Sequence, residues 1–461
     1  MMLPSRRRML SNLGSGVGMV GLAGVMADAG LAGAAPSVSE NPLAPRAPHF
    51  APKAKHVIHL FMNGGPSQVD TFDPKPELAR HAGKPMPAGH LSTERKTGNC
   101  FPSAFKFHKS GQSGVEVSEI FPEIAKRIDD ICVIRSMHTN VPNHEPSLLM
   151  MTSGNLQPIR PSMGAWLSYG LGTENRNLPG FVVLCPGKPV VGPQLWGSSF
   201  LPGAHQGCHI QNLDPQKVID HIRNGRISAS SQRGQLDLIN AMNREHRDAR
   251  SGDDQLEARI QSFEMAFRMQ TEASEAFDVS REPASTRALY GTGAYADSLI
   301  IARRLVERGV RTVQVFTGSG QPWDDHGNVV NGHRTKAQTT DKPIAALLAD
   351  LKGLGLLDET LVLWGGEFGR TPTTEGADGR DHNNHGFSVW LAGGGVKGGM
   401  AYGATDDFGF AAARDKVHVH DLHATMLHLM GINHEKLTYR YSGRDFRLTD
   451  VHGTVVRDIL A

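Results

Sequence analysis

Leu361-Val362-Leu363-Trp364 runs straight into Gly365-Gly366-Glu367-Phe368-Gly369-Arg370, and that step from β-rich apolar residues to a glycine-rich loop holding an acid decides the fold class. A short apolar run bounded by turn residues reads as a strand buried on both faces. The step recurs. Val310–Phe316 leads to Trp323-Asp324-Asp325-His326, and Val57–Met62 stops at Asn63-Gly64-Gly65-Pro66-Ser67 ahead of Asp70 and Asp73. Ile131–Met137 leads through His138 to His144-Glu145, after which Pro146–Met151 turns helical and closes at Gly154. Helical patterns over Ala294–Arg308 and Pro343–Leu354 feed two of these strands, Phe387–Leu391 reads as a further strand, and Asp421–Gly431 reads as a helix capped by Asp421. Strand, polar loop and helix in repetition predict an α/β chain: a doubly wound, mostly parallel sheet with helices on both faces. In such sheets the loops after the strands form the ligand crevice.

Those loops hold metal-ligand side chains. Asp324 and His326, Glu367, and His382 with His385 in Gly379-Arg380-Asp381-His382-Asn383-Asn384-His385 fall at successive strand ends. Aspartate, glutamate and histidine together suit a divalent ion (Zn, Mn, Ca or Mg) that polarises an ester oxygen or activates water. With 48 Lys and Arg against 46 Asp and Glu, the formal charge of +2 implies no basic face and no nucleic acid partner. The glycine runs at Gly64-Gly65 and Gly393–Gly395 fit neither a P-loop nor a dinucleotide fingerprint, and read as tight turns.

Ser5-Arg6-Arg7-Arg8-Met9-Leu10 followed by a weakly apolar stretch to Ala35 matches a twin-arginine export signal over residues 1–35. Asp28 and many glycines within it argue against a permanent membrane span, so the mature chain is expected to be periplasmic or secreted. Residues 36–55 form a linker rich in proline and alanine, and residues 56–461 form the α/β domain. Within that domain a charged, strandless stretch at about 214–280 reads as a helical insertion. The four cysteines are too few for a disulfide scaffold; an oxidising destination permits one bridge, with Cys185 and Cys208 the favoured pair.

Gly64-Gly65-Pro66-Ser67 with Asp70-Thr71-Phe72-Asp73-Pro74, Arg160-Pro161-Ser162-Met163-Gly164, Trp323-Asp324-Asp325-His326, Gly366-Glu367-Phe368-Gly369-Arg370-Thr371-Pro372, Gly379-Arg380-Asp381-His382 and Gly443-Arg444-Asp445-Phe446 together resemble a sulfatase-like family, domain of unknown function 1501. That family looks like a branch of the alkaline phosphatase-like superfamily. The resemblance spans nearly the whole mature chain. It implies a metal site in which Asn63 takes the first ligand position, Asp324 and His326 form a pair, Glu367 is the later acid and His382 the final histidine, with His385 in reserve. Two departures stand out: Asn63 replaces the usual acid, and Phe368 stands where the superfamily has histidine, so one ion shared by Asp324, His326, Glu367 and His382 is expected. The nucleophile position falls on His144, which becomes an acid–base group or a ligand. Arg370 and Arg380 are the groups expected to neutralise an anion. Cys100-Phe101-Pro102-Ser103 lacks the arginine a sulfatase motif requires. The function implied is an exported metal-dependent hydrolase of sulfate or phosphate esters, acting on an anionic ester or a sulfated polysaccharide. The rival is a non-catalytic relative that binds glycan or surface partners.

Overall fold

The computed structural model describes residues 42–461 apart from 88, 176, 215–227 and 249–274. The twin-arginine segment and much of the expected insertion lie outside the described residues. Nine strands form the central sheet: β1 (His56–Phe61), β2 (Ile131–His138), β3 (Phe181–Leu184), β4 (Cys208–Ile210), β5 (Thr312–Phe316), β6 (Thr360–Gly365), β7 (Phe387–Ala392), β8 (Met400–Tyr402) and β9 (Val417–His418). Their order is β8-β2-β7-β6-β1-β5-β3-β4, with β9 paired to the end of β2. The helices that bear on the argument are α1 (His144–Ser153), α2 (Met163–Leu171), α3 (Ala229–Asp248), α4 (Ala294–Glu307), α5 (Val329–Gly353) and α6 (Val419–Leu429).

Every residue of β1, β5 and β6 is buried, as continuous apolar strands between two helical layers must be. Alternate side chains divide between the faces. Ile58, Leu60, Val313, Val315, Val362 and Trp364 pack with Leu299 and Leu305 of α4 and Leu347 and Leu351 of α5. Val57, Phe61, Leu361 and Leu363 pack with Leu148 of α1, Trp166 of α2 and Met426 of α6. At about 1.5–3 kcal/mol per fully buried apolar side chain, these two cores fix the layers to the sheet.

β1 lies parallel to both β5 and β6. β7 runs antiparallel to both β6 and β2, so β2 points the same way as β6 and β7 alone runs against the sheet. The start of β7 therefore sits at the edge where the other strands end. The chain leaves β6 and returns into β7 at that edge, through a short ladder pairing Arg370 with His382.

Three expectations need correction. α5 extends fourteen residues before Pro343, which lies buried inside it. A proline removes one intrahelical hydrogen bond, but Val329, His333, Ala337 and Thr340 are buried on the earlier turns, and that packing outweighs a polar sequence. α6 is capped by His418, with Asp421 as the reciprocal partner accepting from the His418 backbone N–H at 2.9 Å. All four cysteines are free: Cys208 is in register with Val182, three residues from Cys185, which at about 3.3 Å per residue exceeds the reach of a disulfide. Among the described residues no helix is long and apolar enough to cross a membrane.

Candidate metal centre

Four chain segments meet at the carboxyl edge of the sheet. After β1 the chain turns through Asn63-Gly64-Gly65, where Gly64 adopts a φ of +112° and a Cβ would lie 2.6 Å from the backbone nitrogens of Trp323 and Asp324. Only glycine allows that approach. The Asn63 amide donates to the carbonyls of Gly318 (3.0 Å) and Gly320 (2.7 Å), and its oxygen accepts from Thr317 Oγ1 at 2.9 Å. Asn63 thus clamps the loop after β5 that carries Asp324 and His326. Asp325, between them, turns the other way to bond His333 Nδ1 at 2.7 Å, and His333 Nε2 accepts from the Ser67 backbone N–H at 2.9 Å. The loop after β6 supplies Glu367 and Arg370, the return into β7 supplies His382, and the turn after β2 places His144 as the first residue of α1.

One carboxylate oxygen is the focus. Asp324 Oδ1 lies 3.2 Å from His144 Nε2, 3.0 Å from His326 Nε2, 3.1 Å from His382 Nε2 and 2.7 Å from Arg370 Nη2. Behind each imidazole stands a second carboxylate. His144 Nδ1 is 2.7 Å from Glu367 Oε1, His382 Nδ1 is 2.5 Å from Glu94 Oε2, and His326 Nδ1 contacts Glu375 Oε2. His144 and His326 donate from Nδ1 to their carboxylates, which leaves a lone pair on Nε2 whenever the ring is neutral, whereas His382 Nδ1 makes no hydrogen bond with Glu94 despite the short contact and its ring bond runs from Nε2 to Asp324.

Three Nε2 atoms and an anionic oxygen facing one point are held together by a cation, whether a metal ion among them or a proton on His144. A carboxylate oxygen also has too few lone pairs for four nitrogen donors, and His144 Nε2 is buried without a hydrogen bond. Electrostatics show the same conflict. Burial pulls His144 down, yet Asp324 and Glu367 overcome it and lift the imidazole to about 9. Burial drives His382, whose ring centroid is 4.3 Å away, down to about 3. Burial opposes ionisation of Asp324 too, but the three histidines and Arg370 hold it far below the usual carboxylate range. The donor set of His144, Asp324, His326 and His382, with one ligand atom from each lying within 4.8 Å of the others, fits a divalent cation. The ring of Phe368, 1% exposed, lies 4.5 Å from His382 and 4.9 Å from His144 and forms an apolar wall.

Not every residue singled out in the sequence joins this ring. Glu367 sits behind His144 and accepts from the Gly64 N–H at 3.0 Å. Asn63 is turned to its clamp. His385 Nε2 is 2.8 Å from the Ser92 carbonyl. Arg370 touches Asp324, but it is fully buried and its other donors go to the carbonyls of Gly64, Gly65, Trp323 and Arg380. Arg380 is buried against Asp70 at 2.7 Å and lies over the Phe101 ring. Glu94 and Glu375 escaped the sequence reading. Glu375 follows the Arg370 motif closely enough to have been weighed as an acid beside a metal loop, whereas Glu94 reaches His382 from 288 residues away and left no local signal.

The chain belongs to the family described as protein of unknown function (DUF1501), whose model matches residues 54–460. No curated protein matches it. Among solved structures, it is similar to the PsFucS1 sulfatase from Pseudoalteromonas sp., at 13% identity over 83% of this chain and 68% of that one, with a TM-score of 0.33. It is similar to the phosphonate monoester hydrolase SpPMH from Silicibacter pomeroyi, at 12% identity over 74% and 71%, with a TM-score of 0.34. It is also similar to a variant TAB5 alkaline phosphatase with magnesium bound, at 10% identity over 83% and 99%, with a TM-score of 0.35.

Proposed function

We propose that this protein is a metal-dependent hydrolase of sulfate or phosphate esters, with His144, Asp324, His326 and His382 holding one divalent ion. The observation that carries the reading is the convergence of three carboxylate-backed imidazoles on Asp324 Oδ1. Three nitrogen ligands and one oxygen suit zinc or manganese better than calcium or magnesium, which prefer oxygen. Once bound, such an ion supplies Lewis acidity toward an ester oxygen and lowers the pKa of a bound water.

The chain's own groups hold that arrangement. Glu367 and Glu375 accept from Nδ1 of His144 and His326 and so point Nε2 of these rings inward, while Glu94 lies close behind His382. Arg370 orients Asp324. Among the described residues no serine, threonine or cysteine side chain hydrogen-bonds any of the four ligands, which favours water as the attacking group. With both arginines buried and engaged, charge neutralisation of the substrate falls to the metal centre, and His144 takes the part of a ligand.

One observation favours a second reading. Four protein ligands can close a tetrahedral site, as in structural zinc centres, and such a protein would bind glycan or surface partners without turnover. Elemental analysis together with turnover on aryl sulfates and aryl phosphates separates the two. Parental protein should carry about one equivalent of metal and hydrolyse at least one ester class, while His326→Ala and His382→Ala should lose both metal and turnover. Metal in the parent without turnover on any ester selects the second reading, and unchanged metal in both variants removes the site. Export by the twin-arginine route is part of the same proposal. Replacing Arg6 and Arg7 together by Lys should abolish periplasmic accumulation, and unaltered accumulation would contradict it.

A further inference from the structure

A cleft of about 850 Å³ opens outside the metal centre, between the turn that enters α1, the segment leaving α1, the start of α6 and residues 450–454. Its size is that of a small-molecule site. Three imidazoles line it in a row, with ring centroids 4.9 Å apart from His418 to His420 and 4.9 Å from His420 to His452. His418 Nδ1 accepts from the His420 backbone N–H, so its Nε2 donates to Asn140 Oδ1 at 2.9 Å and leaves the Asn140 amide nitrogen to the cleft. His420 Nδ1 faces the Thr449 carbonyl at 3.3 Å, which leaves Nε2 as an acceptor. Asn155 and Gln157 add amides from the opposite wall.

Both carboxylates in this wall are already engaged. Asp421 accepts from the backbone N–H groups of His418 and Thr454, and Asp450 is paired with Arg160 and Arg444. Burial holds His418 and His420 near 4, so both are neutral at physiological pH. Ile159 and Val451, 55% and 71% exposed, form an apolar rim. The wall therefore offers neutral donors and acceptors beside apolar patches, with the oxygens of Asp421 and Asp450 already taken up by backbone N–H groups and arginines. An anionic ligand would meet two carboxylates here, and a purely apolar one would strand the amides. Hydroxyl groups on a ring with apolar C–H faces satisfy both kinds of surface.

We propose that this cleft binds a saccharide. Its lip at Asn140 belongs to the turn that presents His144, and that turn is tied to the His382 loop through Thr139 and Asn384 at 2.9 and 3.0 Å. The cleft thus seats the uncharged sugar portion of an ester whose anionic group lies at the metal; this second step rests on the hydrolase reading above. The test is calorimetric titration of the metal-loaded full chain with cellohexaose, maltohexaose and chitohexaose. At least one should bind at millimolar concentration or below. Asn140→Ala with Gln157→Ala, both at exposed positions, should weaken it roughly tenfold at unchanged metal content, and His382→Ala should still bind it. Binding to none of the three, binding by the double variant equal to the parent, or loss of binding in a folded His382→Ala protein overturns the proposal. Sugar binding without ester turnover leaves the cleft standing and removes only the hydrolase reading.

Discussion

Glu94 is the residue on which the geometry of His382 turns. Its carboxylate stands 2.5 Å from Nδ1 of an imidazole that is itself 2% exposed, close enough to bias which ring nitrogen carries the proton although the two make no hydrogen bond. Partners behind a ligand of this kind typically contribute ten- to a hundredfold in metal affinity. Glu94→Gln should lower zinc affinity by about that factor while leaving circular dichroism and melting of the metal-free protein unchanged, and competition with a chromophoric chelator measures it. Affinity equal to the parent would show that Glu94 is only a surface contact. Asp324, His326 and His382 were legible as candidates in the sequence because each is a metal-ligand type in a polar loop that follows or joins strands. His144 was legible as a position with two roles open, an acid–base group or a ligand. Glu94 was not legible at all, since its partner is set by the folding of residues 90–97 onto the His382 loop, where Arg95 N–H also meets Asp381 at 2.7 Å.

Two elements exit the sheet side by side at Gly64, and their spacing sets where Asp324 points. A methyl group there would meet the Trp323 and Asp324 nitrogens at 2.6 Å in a backbone conformation with φ of +112°. Gly64→Ala should therefore cost more than about 1 kcal/mol of stability, read by urea unfolding. Metal affinity should fall with it, because the loop that must retreat is the one that carries Asp324. A variant as stable as the parent with full metal affinity would show that the turn relaxes freely. At this scale β1, β5 and β6 were plain in the sequence because apolar and β-branched residues dominate them and turns bound them. The first half of α5 was not: its residues are polar, Pro343 interrupts the pattern, and the burial that holds it comes from other elements. The cap of α6 was misplaced by three residues for a related reason, since a capping box uses both His418 and Asp421 and the acid alone drew the eye.

Across the whole molecule the sheet class follows from apolar runs, but strand direction does not, because a buried strand reads the same in either sense. The reversal of β7 is what returns His382 to the edge that holds Asp324 and His144. The same sandwich buries imidazoles that have no part in the metal centre, and they make stability depend on pH. His59 on β1 and His423 on α6 are 2% and 1% exposed, and burial takes them down to about 3 and about 4. His423 Nε2 donates to the Met151 carbonyl at 2.9 Å, joining α6 to α1 while neutral. An unfolded histidine titrates near 6.5. Between that value and the depressed ones the unfolded chain binds more protons than the folded chain, so this stability is fully present above about pH 6.5 and is lost as pH falls toward 4. Each such histidine can contribute up to about 1.4 kcal/mol per pH unit in that window. Chelator-treated protein, used so that metal release does not intervene, should show a urea midpoint that falls steadily from about pH 7 to about pH 4.5. His423→Gln keeps a donor for the Met151 carbonyl but cannot titrate, and should show a shallower fall. If the parent midpoint is flat across that range, or the variant falls as steeply as the parent, the buried imidazoles are not what makes the metal-free fold acid-sensitive.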